Sequence, residues 1–171
     1  MRITNKAATK KVIAKNTENT YYVYKRHKWK QKMKDISYHI VKESDNARIL
    51  ELYRAAGWWQ MDENPEYLKT VAGIIKQSFC FVIAKRGDEI IGMGRAISDG
   101  LSDAYIQDVT VWEAERGKGI GKGIIRELLR FLKEQNLQWI GLISEPGYED
   151  FYARLGFNEM KSYTPFLYSE D

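Results

Sequence analysis

Hydrophobic and polar positions follow two different periods along this chain, one typical of helices and one typical of strands. Apolar residues recur at helical spacing in three long segments: 44–56, 64–75 and 124–136. Five runs rich in β-branched and aromatic residues predict strands of a main domain: 37–41, 79–84, 89–97, 104–112 and 139–143. A short helix over 148–155 and final strands over 157–168 complete the predicted elements.

The order of these elements predicts the fold class. Three hairpin-linked strands, a crossover helix and a further strand indicate an α/β (α+β) fold with a mixed, mostly antiparallel sheet and helices on both faces. Ser44 or Asp45 can cap the first helix, and Gly57 ends it. Gly92 and Gly94 weaken ordinary pairing within their strand, so we expect a bulge or a close approach there.

Charge divides the chain into two parts. Its 171 residues suit one globular domain, and 44% hydrophobic with 29% charged residues excludes a disordered or collagen-like chain. Residues 1–37 hold 11 Lys/Arg against two acidic residues, a net charge of +9, whereas the remainder has 16 basic and 21 acidic residues, a net charge of −5. We therefore predict a basic N-terminal extension, 1–37, and a main domain, 38–171.

The basic extension admits three hypotheses. Its interleaved aromatic residues, including a strand-like run at 21–24, could bind nucleic acid through phosphates and stacking. The run could instead pair with the sheet edge or with a second subunit, which makes a homodimer a further alternative. The extension could also be simply disordered. Salt dependence distinguishes the first hypothesis, because binding through phosphates weakens steeply with salt.

The cysteine content and the hydropathy argue against disulfide-bonded, metal-binding, membrane-spanning and secreted classes of protein. Cys80 is the single cysteine and stands in an apolar run, so we expect a small buried side chain and no internal disulfide. Two histidines without a cysteine pair predict no metal site. No apolar stretch reaches the roughly 18 residues of a membrane span, and the Lys-rich start resembles no signal peptide. The expected location is the cytoplasm.

The most informative stretch is the glycine-rich segment 116–123, between a predicted strand and a predicted helix. Four of the 13 glycines lie there, at positions 117, 119, 121 and 123. Backbone N–H groups without neighbouring Cβ atoms can converge on one anion, and a helix start adds a positive dipole end. Arg116, Lys118 and Lys122 add mobile positive charge. The spacing fits neither a P-loop nor a Rossmann fingerprint, so we expect a site for another phosphate or pyrophosphate. The alternative is a flexible glycine-rich turn without a ligand.

Two motifs in this order resemble a known family. Arg116-x-x-Gly119-x-Gly121, after a β-branched strand and before an amphipathic helix, looks like motif A of the GNAT superfamily of acetyl-CoA-dependent N-acetyltransferases. Residues 151–157, Phe-Tyr-Ala-Arg-Leu-Gly-Phe, match that family's second signature, F-Y-x-x-L-G-F. One helix and one strand separate the motifs, and the resemblance covers roughly residues 38–168.

The resemblance implies splayed central strands and acetyl-CoA as the co-substrate. The pantetheine arm would hydrogen-bond to the backbone of Val109, Thr110 and Val111. The pyrophosphate would be held by the cation of Arg116 and by the N–H groups of the loop: Gly117, Lys118, Gly119, Ile120, Gly121 and Lys122. Tyr152 would be the general acid that protonates the departing thiolate, since a phenol is protonated at neutral pH. The N–H of Val109 is the candidate donor to the oxyanion.

The sequence departs from the family pattern ahead of the second motif. The family often carries N-x-x-A, where this chain has Glu145 and Tyr148. Glu145 could be a base, an anchor for a cationic acceptor, or a solvated loop charge. Asp108 is the other candidate base, because burial in an otherwise apolar strand could raise its pKa. Asp108 could also only bridge neighbouring backbone; Gln107 or a water relay are further alternatives.

The acceptor is the least determined part of the reaction. Acidic and aromatic residues near the predicted pocket suit a cationic, partly apolar amine: Trp58, Trp59, Asp99, Asp103, Glu145 and Tyr148. We therefore expect direct transfer of an acetyl group to a primary amine of a small molecule or a protein. The alternative is a non-catalytic acyl-CoA-binding sensor or structural module. A Tyr152→Phe change separates the two, since it affects turnover and not CoA affinity.

Overall fold

The computed structural model describes residues 35–61 and 64–169. The expectations for residues 1–34, including the strand at 21–24, lie outside the described residues. The unit described here begins at Ile36, and the predicted boundary between 37 and 38 stays a prediction. No helix within the described ranges combines the length and the hydropathy that a membrane crossing requires.

Five strands and four α-helices make up the described part of the chain. In chain order they are β1 (Ile36–Ile40), α1 (Asn46–Ala55), α2 (Glu66–Gln77), β2 (Cys80–Arg86), β3 (Glu89–Ser98), β4 (Asp103–Val111), α3 (Ile120–Glu134), β5 (Trp139–Leu142) and α4 (Glu149–Ala153). A 3₁₀ turn, Glu113–Glu115, joins β4 to the glycine-rich segment.

The strands form one mixed sheet in the order β1-β2-β3-β4-β5. Neighbouring strands run antiparallel except β4 and β5, which are parallel and are connected through α3. Parallel neighbours need such a crossover because a tight turn can join only antiparallel strands. The predicted fold class, a mostly antiparallel mixed sheet with helices, is confirmed.

Alternation along the strands builds a core on each face of the sheet. From β2, Val82 and Ala84 lie against α3, whereas Phe81 and Ile83 lie against α1 and α2. All four side chains are at most 5% exposed. A strand with both faces covered reads as a continuous apolar run, which is the pattern that the sequence presents at this point. Cys80 is buried in the α3-side core, as expected for a small apolar side chain.

Local sequence fixes the helix ends as expected. The Asp45 carboxylate accepts a hydrogen bond from the Arg48 N–H at 3.0 Å, which caps α1. Gly57 follows the end of α1 with φ +77°, a conformation that favours glycine. The Asn64 side chain accepts from the Glu66 N–H at 2.9 Å at the start of α2.

The strands expected over 157–168 are absent from the described residues 157–169, so that prediction is wrong. The segment contains apolar side chains, but Phe166 and Leu167 are each 94% exposed. A strand needs a neighbour for its backbone groups. In the part of the chain that the structure describes, the four residues of β5 pair with β4 alone. The aromatic pattern therefore predicted a strand, but within the described residues this segment pairs with no strand of the sheet.

Candidate active site at the opening between β4 and β5

The sheet opens between β4 and β5. Their parallel ladder runs only from the pair of Asp103 with Trp139 to the pair of Ile106 with Leu142. β4 continues for five more residues, through Val111, while β5 ends. Within the described residues, the edge of β4 that faces β5 therefore has no strand partner from Gln107 onward. Such an edge offers N–H and C=O groups to an extended ligand.

A β-bulge marks the start of this open edge. Thr110 pairs with Met93 and Gln107 pairs with Arg95, so that Asp108 and Val109 together oppose Gly94. Asp108 has φ +54°, in the left-handed region that few non-glycine residues adopt. The extra residue places the Asp108 side chain on the α1 face and returns Val109 to the α3 face.

Gly94 permits the bulge to lie close to α3. A Cβ at this position would come within 2.7 Å of Ile124 Cγ2 and 3.2 Å of Val109 Cγ2. A Cβ at Gly92 would lie 2.9 Å from the carbonyl oxygen of Thr110. The expectation of a bulge or close approach at these two glycines is confirmed.

The glycine-rich segment delivers free N–H groups to the same end of β4. Gly119, with φ +80°, precedes α3, and the first helical hydrogen bond runs from the Gly123 N–H to the Gly119 carbonyl at 3.0 Å. The N–H groups of Ile120, Gly121 and Lys122 therefore lack intrahelical acceptors. Together with the helix dipole they form an electropositive end suited to a phosphate.

The helix begins earlier than the sequence pattern predicts. A loop was expected through residue 123, yet Gly121, Lys122 and Gly123 are the first turn of α3. Glycine disfavours helix by about 1 kcal/mol relative to alanine. Tertiary packing overrides this preference, because Ile120 is 1% exposed and the Tyr38 ring lies against Gly123.

The side chains of Lys118 and Arg116 were expected to be mobile, but both form hydrogen bonds within the fold. The Lys118 ammonium donates to the Ala114 carbonyl and to Glu115 Oε2, the latter at 3.0 Å. Arg116 Nε donates to the Val111 carbonyl at 3.2 Å. The anion-binding groups at this end of α3 are thus mainly backbone N–H groups.

Asp108 lies in polar surroundings and not in the apolar ones that its strand suggested. Its Oδ2 accepts hydrogen bonds from the Tyr53 hydroxyl at 2.8 Å and from Arg95 Nε at 2.5 Å. Arg95 Nη2 also donates to the Gln107 amide oxygen at 2.8 Å. Sequence reasoning missed Tyr53 and Arg95 as site residues. Arg95 did carry a signal, as a charged residue inside the apolar run 90–97.

Burial dominates the ionisation of the Tyr53 hydroxyl. It raises the pKa of Tyr53 far above its usual value, and the Asp108 carboxylate raises it further. The phenol therefore keeps its proton and remains a donor to Asp108 at any physiological pH. Tyr53 thus acts on Asp108 by orienting its carboxylate.

An aromatic cluster extends from Tyr53, in α1, through the segment after that helix to Tyr67 in α2. Trp59 stacks on Tyr53 with centroids 4.9 Å apart, and Tyr67 lies 5.3 Å beyond Trp59. Trp58 meets the Tyr53 ring edge-on at 6.1 Å and is 40% exposed. Trp59 thus belongs to the core side of the cluster, and Trp58 offers the more accessible surface.

Two other acceptor candidates lie in the turn between β3 and β4. Asp99 accepts a hydrogen bond from the Leu101 N–H at 2.8 Å, which stabilises the turn locally. Asp103 is exposed at the start of β4. Both aspartates therefore lie before the bulge, and neither is among the hydrogen-bond partners found for Asp108.

Tyr152 lies in α4 and packs against the core on the α3 face of the sheet. Its neighbour Phe151 lies against the first turn of α3, where a Cβ at Gly121 would be 3.6 Å from Phe151 Cζ. The Tyr152 ring makes edge-to-face contacts with Phe151 and Phe157, at centroid distances of 5.0 and 5.8 Å. The fold thus brings the two sequence motifs together.

The surroundings of Tyr152 favour its protonated form. Burial is the main cause that raises the pKa of Tyr152, and the charges of Tyr148 and Glu145 raise it further. Glu145 and Tyr148 are exposed in the β5–α4 connection, Tyr148 by 47%. Tyr148 lies one helical turn before Tyr152, whose backbone N–H donates to the Tyr148 carbonyl at 3.1 Å. The Tyr152 phenol therefore keeps its proton at neutral pH and can serve as a proton donor.

Comparisons with known proteins agree with this architecture. The sequence model described as "Acetyltransferase (GNAT) family" matches residues 46–157. The chain is 30% identical over 132 residues to an uncharacterized N-acetyltransferase, ycf52, of Pyropia yezoensis, covering 75% of this chain and 73% of that protein. It is 32% identical over 102 residues to GCN5-related N-acetyltransferase 2, chloroplastic, of Arabidopsis thaliana, covering 56% of this chain but only 40% of the relative.

A solved structure shares the fold. A GNAT family acetyltransferase from Streptococcus pneumoniae TIGR4 superposes with a TM-score of 0.67 at 24% identity, over 79% of this chain and 98% of that one. At this level of identity the match concerns the fold alone. The open edge of β4, the electropositive start of α3 and the tyrosine of α4 thus lie within a shared architecture.

Proposed function

Because this chain belongs to the GNAT family of acetyltransferases, we propose that it is an N-acetyltransferase that moves the acetyl group of acetyl-CoA directly to a primary amine. One observation carries the proposal: the unpaired edge of β4 ends beside the free N–H groups of α3. An extended arm followed by a pyrophosphate fits this combination, since the first needs a strand edge and the second a helix start.

The donor would be held by backbone groups along two elements. The pantetheine arm hydrogen-bonds to Val109, Thr110 and Val111 on the open edge. The pyrophosphate is bound by N–H groups between Gly117 and Lys122, and three of them are already without helical acceptors. Backbone donors suit this task because their positions are fixed by the fold before the ligand arrives.

Tyr152 is the proposed general acid. Acetyl-CoA supplies an activated thioester, in which the C–S bond breaks as the amine nitrogen forms the new C–N bond. Tyr152 donates its proton to the leaving thiolate, and the raised pKa keeps that proton available at neutral pH. The Val109 N–H, at the bulge, is the proposed donor to the oxygen that gains negative charge.

Asp108 is the proposed base for the incoming ammonium group. Its support is positional: the carboxylate stands at the bulge, directly before the proposed pantetheine segment, and Tyr53 and Arg95 hold it in one orientation. Only Oδ2 is occupied by these two donors, so Oδ1 is the candidate proton acceptor. Glu145 or a water relay would serve instead if Asp108 only shapes the bulge.

The acceptor is proposed to be a primary amine of a small molecule or a peptide. Glu145 and Tyr148 lie in the connection from β5 to α4 that leads to Tyr152, and a carboxylate with an aromatic ring suits an ammonium group. A homodimer and nucleic-acid binding by the basic extension stay predictions, as does the cytoplasmic location. Fractionation of cells that express the tagged full chain would decide the compartment.

A thiol-release assay tests the proposal. Full-length protein is mixed with acetyl-CoA and a panel of amines: an arylalkylamine, a polyamine, an aminosugar and lysine or N-terminal peptides. Free CoA thiol is then measured for wild type and for Tyr152→Phe. We expect turnover with at least one amine and a loss of about 10²-fold in kcat for Tyr152→Phe, the scale of a lost general acid.

A matched control and a binding measurement make the result decisive. Tyr163→Phe removes a hydroxyl from a ring that is 75% exposed in the C-terminal segment, and should leave kcat unchanged. Acetyl-CoA affinity, measured by calorimetry, should be the same in all three proteins. Tight binding of acetyl-CoA without thiol release from any amine would instead identify a non-catalytic acyl-CoA-binding module.

A further inference from the structure

Three charged side chains form a partly buried cluster at the start of the glycine-rich segment. Both terminal nitrogens of Arg86 donate to the two carboxylate oxygens of Glu115, one of them at 2.5 Å. The Lys118 ammonium donates to Glu115 Oε2 at 3.0 Å. The side chains of Arg86, Glu115 and Lys118 are only 19%, 15% and 18% exposed.

The cluster joins a residue of β2 to two residues that lie three positions apart after β4. Arg86 is the last residue of β2, Glu115 ends the 3₁₀ turn after β4, and Lys118 lies in the glycine-rich segment. Gly117 and Gly119 flank Lys118 with φ angles of +72° and +80°. Glycines allow many backbone conformations, so the contacts of Lys118 to Glu115 and to the Ala114 carbonyl restrict this segment to one.

The bidentate pair gives Glu115 a fixed position. Two parallel N–H···O bonds from a guanidinium define both the distance and the plane of a carboxylate. Arg86 also holds the pKa of Glu115 at about 2, so the carboxylate stays charged toward Lys118. The sheet, through Arg86, therefore anchors the residue that holds the segment.

We propose that Glu115 is a positioning residue for the pyrophosphate of the donor: by holding Lys118, it aligns the N–H groups that begin α3. The inference rests on the proposed function, because it concerns the same donor site. In this role Lys118 is a clip: its ammonium holds the segment in place through Glu115 and the Ala114 carbonyl and does not bind phosphate directly. Sequence reasoning had assigned Lys118 to the phosphate.

Glu115→Gln distinguishes the two roles of Lys118. If Lys118 is a clip, removing the charge of Glu115 loosens the segment, and KM for acetyl-CoA rises about tenfold, the scale of one lost charge-assisted hydrogen bond. kcat at saturating donor should stay within about twofold. If Lys118 binds phosphate directly and Glu115 competes for it, KM for acetyl-CoA should instead fall or stay unchanged, which would overturn the proposal.

A truncated donor supplies the readout that a general loss of structure would not give. S-acetylpantetheine carries the thioester and the pantetheine arm but no pyrophosphate. Its KM should be the same in wild type and in Glu115→Gln, because it does not use the segment. An equal rise in KM for both donors would mean that Glu115 only supports the fold, and would contradict the proposal.

Failure of the proposed function has a separate signature. A wild-type protein that uses both donors with the same KM has no pyrophosphate site at α3 for Glu115 to position. A wild type that releases no thiol contradicts the proposed reaction, and calorimetric binding of acetyl-CoA to wild type and Glu115→Gln then tests Glu115. A wild type that prefers acetyl-CoA establishes that site, and the variant then tests Glu115 alone. The two failures are therefore distinguishable in one set of measurements.

Three further variants show whether a change in KM comes from the loss of this cluster or from misfolding of Glu115→Gln. Arg86→Lys keeps the charge but loses the bidentate geometry, and should raise KM for acetyl-CoA in the same direction and by less. Lys118→Met removes the clip and leaves the pair of Arg86 with Glu115, and should match Glu115→Gln. Glu134→Gln breaks an exposed ion pair with Arg130 at the far end of α3, and serves as the control without effect on KM.

Discussion

The ring of Tyr38 occupies the space into which a side chain at Gly123 would project. A Cβ built on Gly123 overlaps the hydroxyl and the ring of Tyr38. Tyr38 belongs to the edge strand β1 and Gly123 to the first turn of α3, so this contact fixes the start of the helix against the sheet. The absence of a side chain at Gly123 therefore allows α3 to pack against β1, and the proposed pyrophosphate site beside it depends on that packing.

Gly123→Ala should destabilise the protein by about 1–3 kcal/mol, as an overpacked core position does. In a Tyr38→Ala background the same change should stabilise by up to about 1 kcal/mol, because alanine is the better helix former and the obstacle is gone. Urea unfolding of the four proteins measures this reversal of sign. A destabilisation of equal size in both backgrounds would show that Tyr38 is not the cause.

Gly94→Ala should weaken both the fold and the donor site. The added methyl group would meet Ile124 Cγ2 at 2.7 Å, so β3 or α3 must shift at the bulge. We expect a loss of about 1–3 kcal/mol in unfolding free energy and a higher KM for acetyl-CoA. Gly73→Ala, in α2, meets nothing within 4 Å and should stabilise by up to about 1 kcal/mol. A Gly94→Ala protein as stable as wild type would argue against the close approach.

Substitutions of Asp108 should separate catalysis from backbone strain. Asparagine and glycine tolerate φ +54° and alanine does not, so Asp108→Ala should be less stable than Asp108→Asn by about 1–2 kcal/mol. If Asp108 is the base, both variants lower kcat by a similar factor of about 10². Asn136→Ala is the control, because Asn136 has φ +63° after α3: alanine there introduces similar backbone strain at a residue with no proposed role in catalysis. Full activity in Asp108→Asn would assign the base elsewhere.

The ion cluster at Glu115 predicts a specific acid sensitivity. Arg86 lowers the pKa of Glu115 from 4.5 to about 2 in the folded protein. The folded state thus prefers the charged form, and its contribution is complete above about pH 4.5 and is lost as pH falls toward 2. The difference in unfolding free energy between wild type and Glu115→Gln should therefore shrink over this interval. A difference that stays constant from pH 6 to pH 2.5 would contradict the lowered pKa.

The periodicity of the sequence predicted most of the elements because each buries a complete apolar face. The strands of the sheet, the caps at Asp45 and Gly57, and the crossover helix all follow from local pattern and local hydrogen bonding. The strands expected over 157–168 show the limit of that reasoning. Strand pattern is local, whereas strand formation requires a partner edge.

Some residues of the candidate site could be predicted from the sequence, and others could be found only in the structure. The glycine spacing and the Phe151-Tyr152 motif pointed to the donor site and its acid, because the residue types themselves carry the chemistry. Tyr53 and Arg95 were not found, since their importance lies in reaching Asp108 from 55 and 13 residues away in sequence. Contacts at such separations leave no periodic trace.

By itself, the sequence determined the mixed fold, the family and a glycine-rich segment between a strand and the crossover helix, because composition and spacing act over a few neighbouring residues. Only the tertiary structure decided which side chains the cations of this segment contact. The sequence suggests a phosphate ligand at Lys118, but in the folded chain its ammonium pairs with Glu115, which also pairs with Arg86. The physical reason is that charges pair with what lies nearest in space, and the fold alone sets those distances.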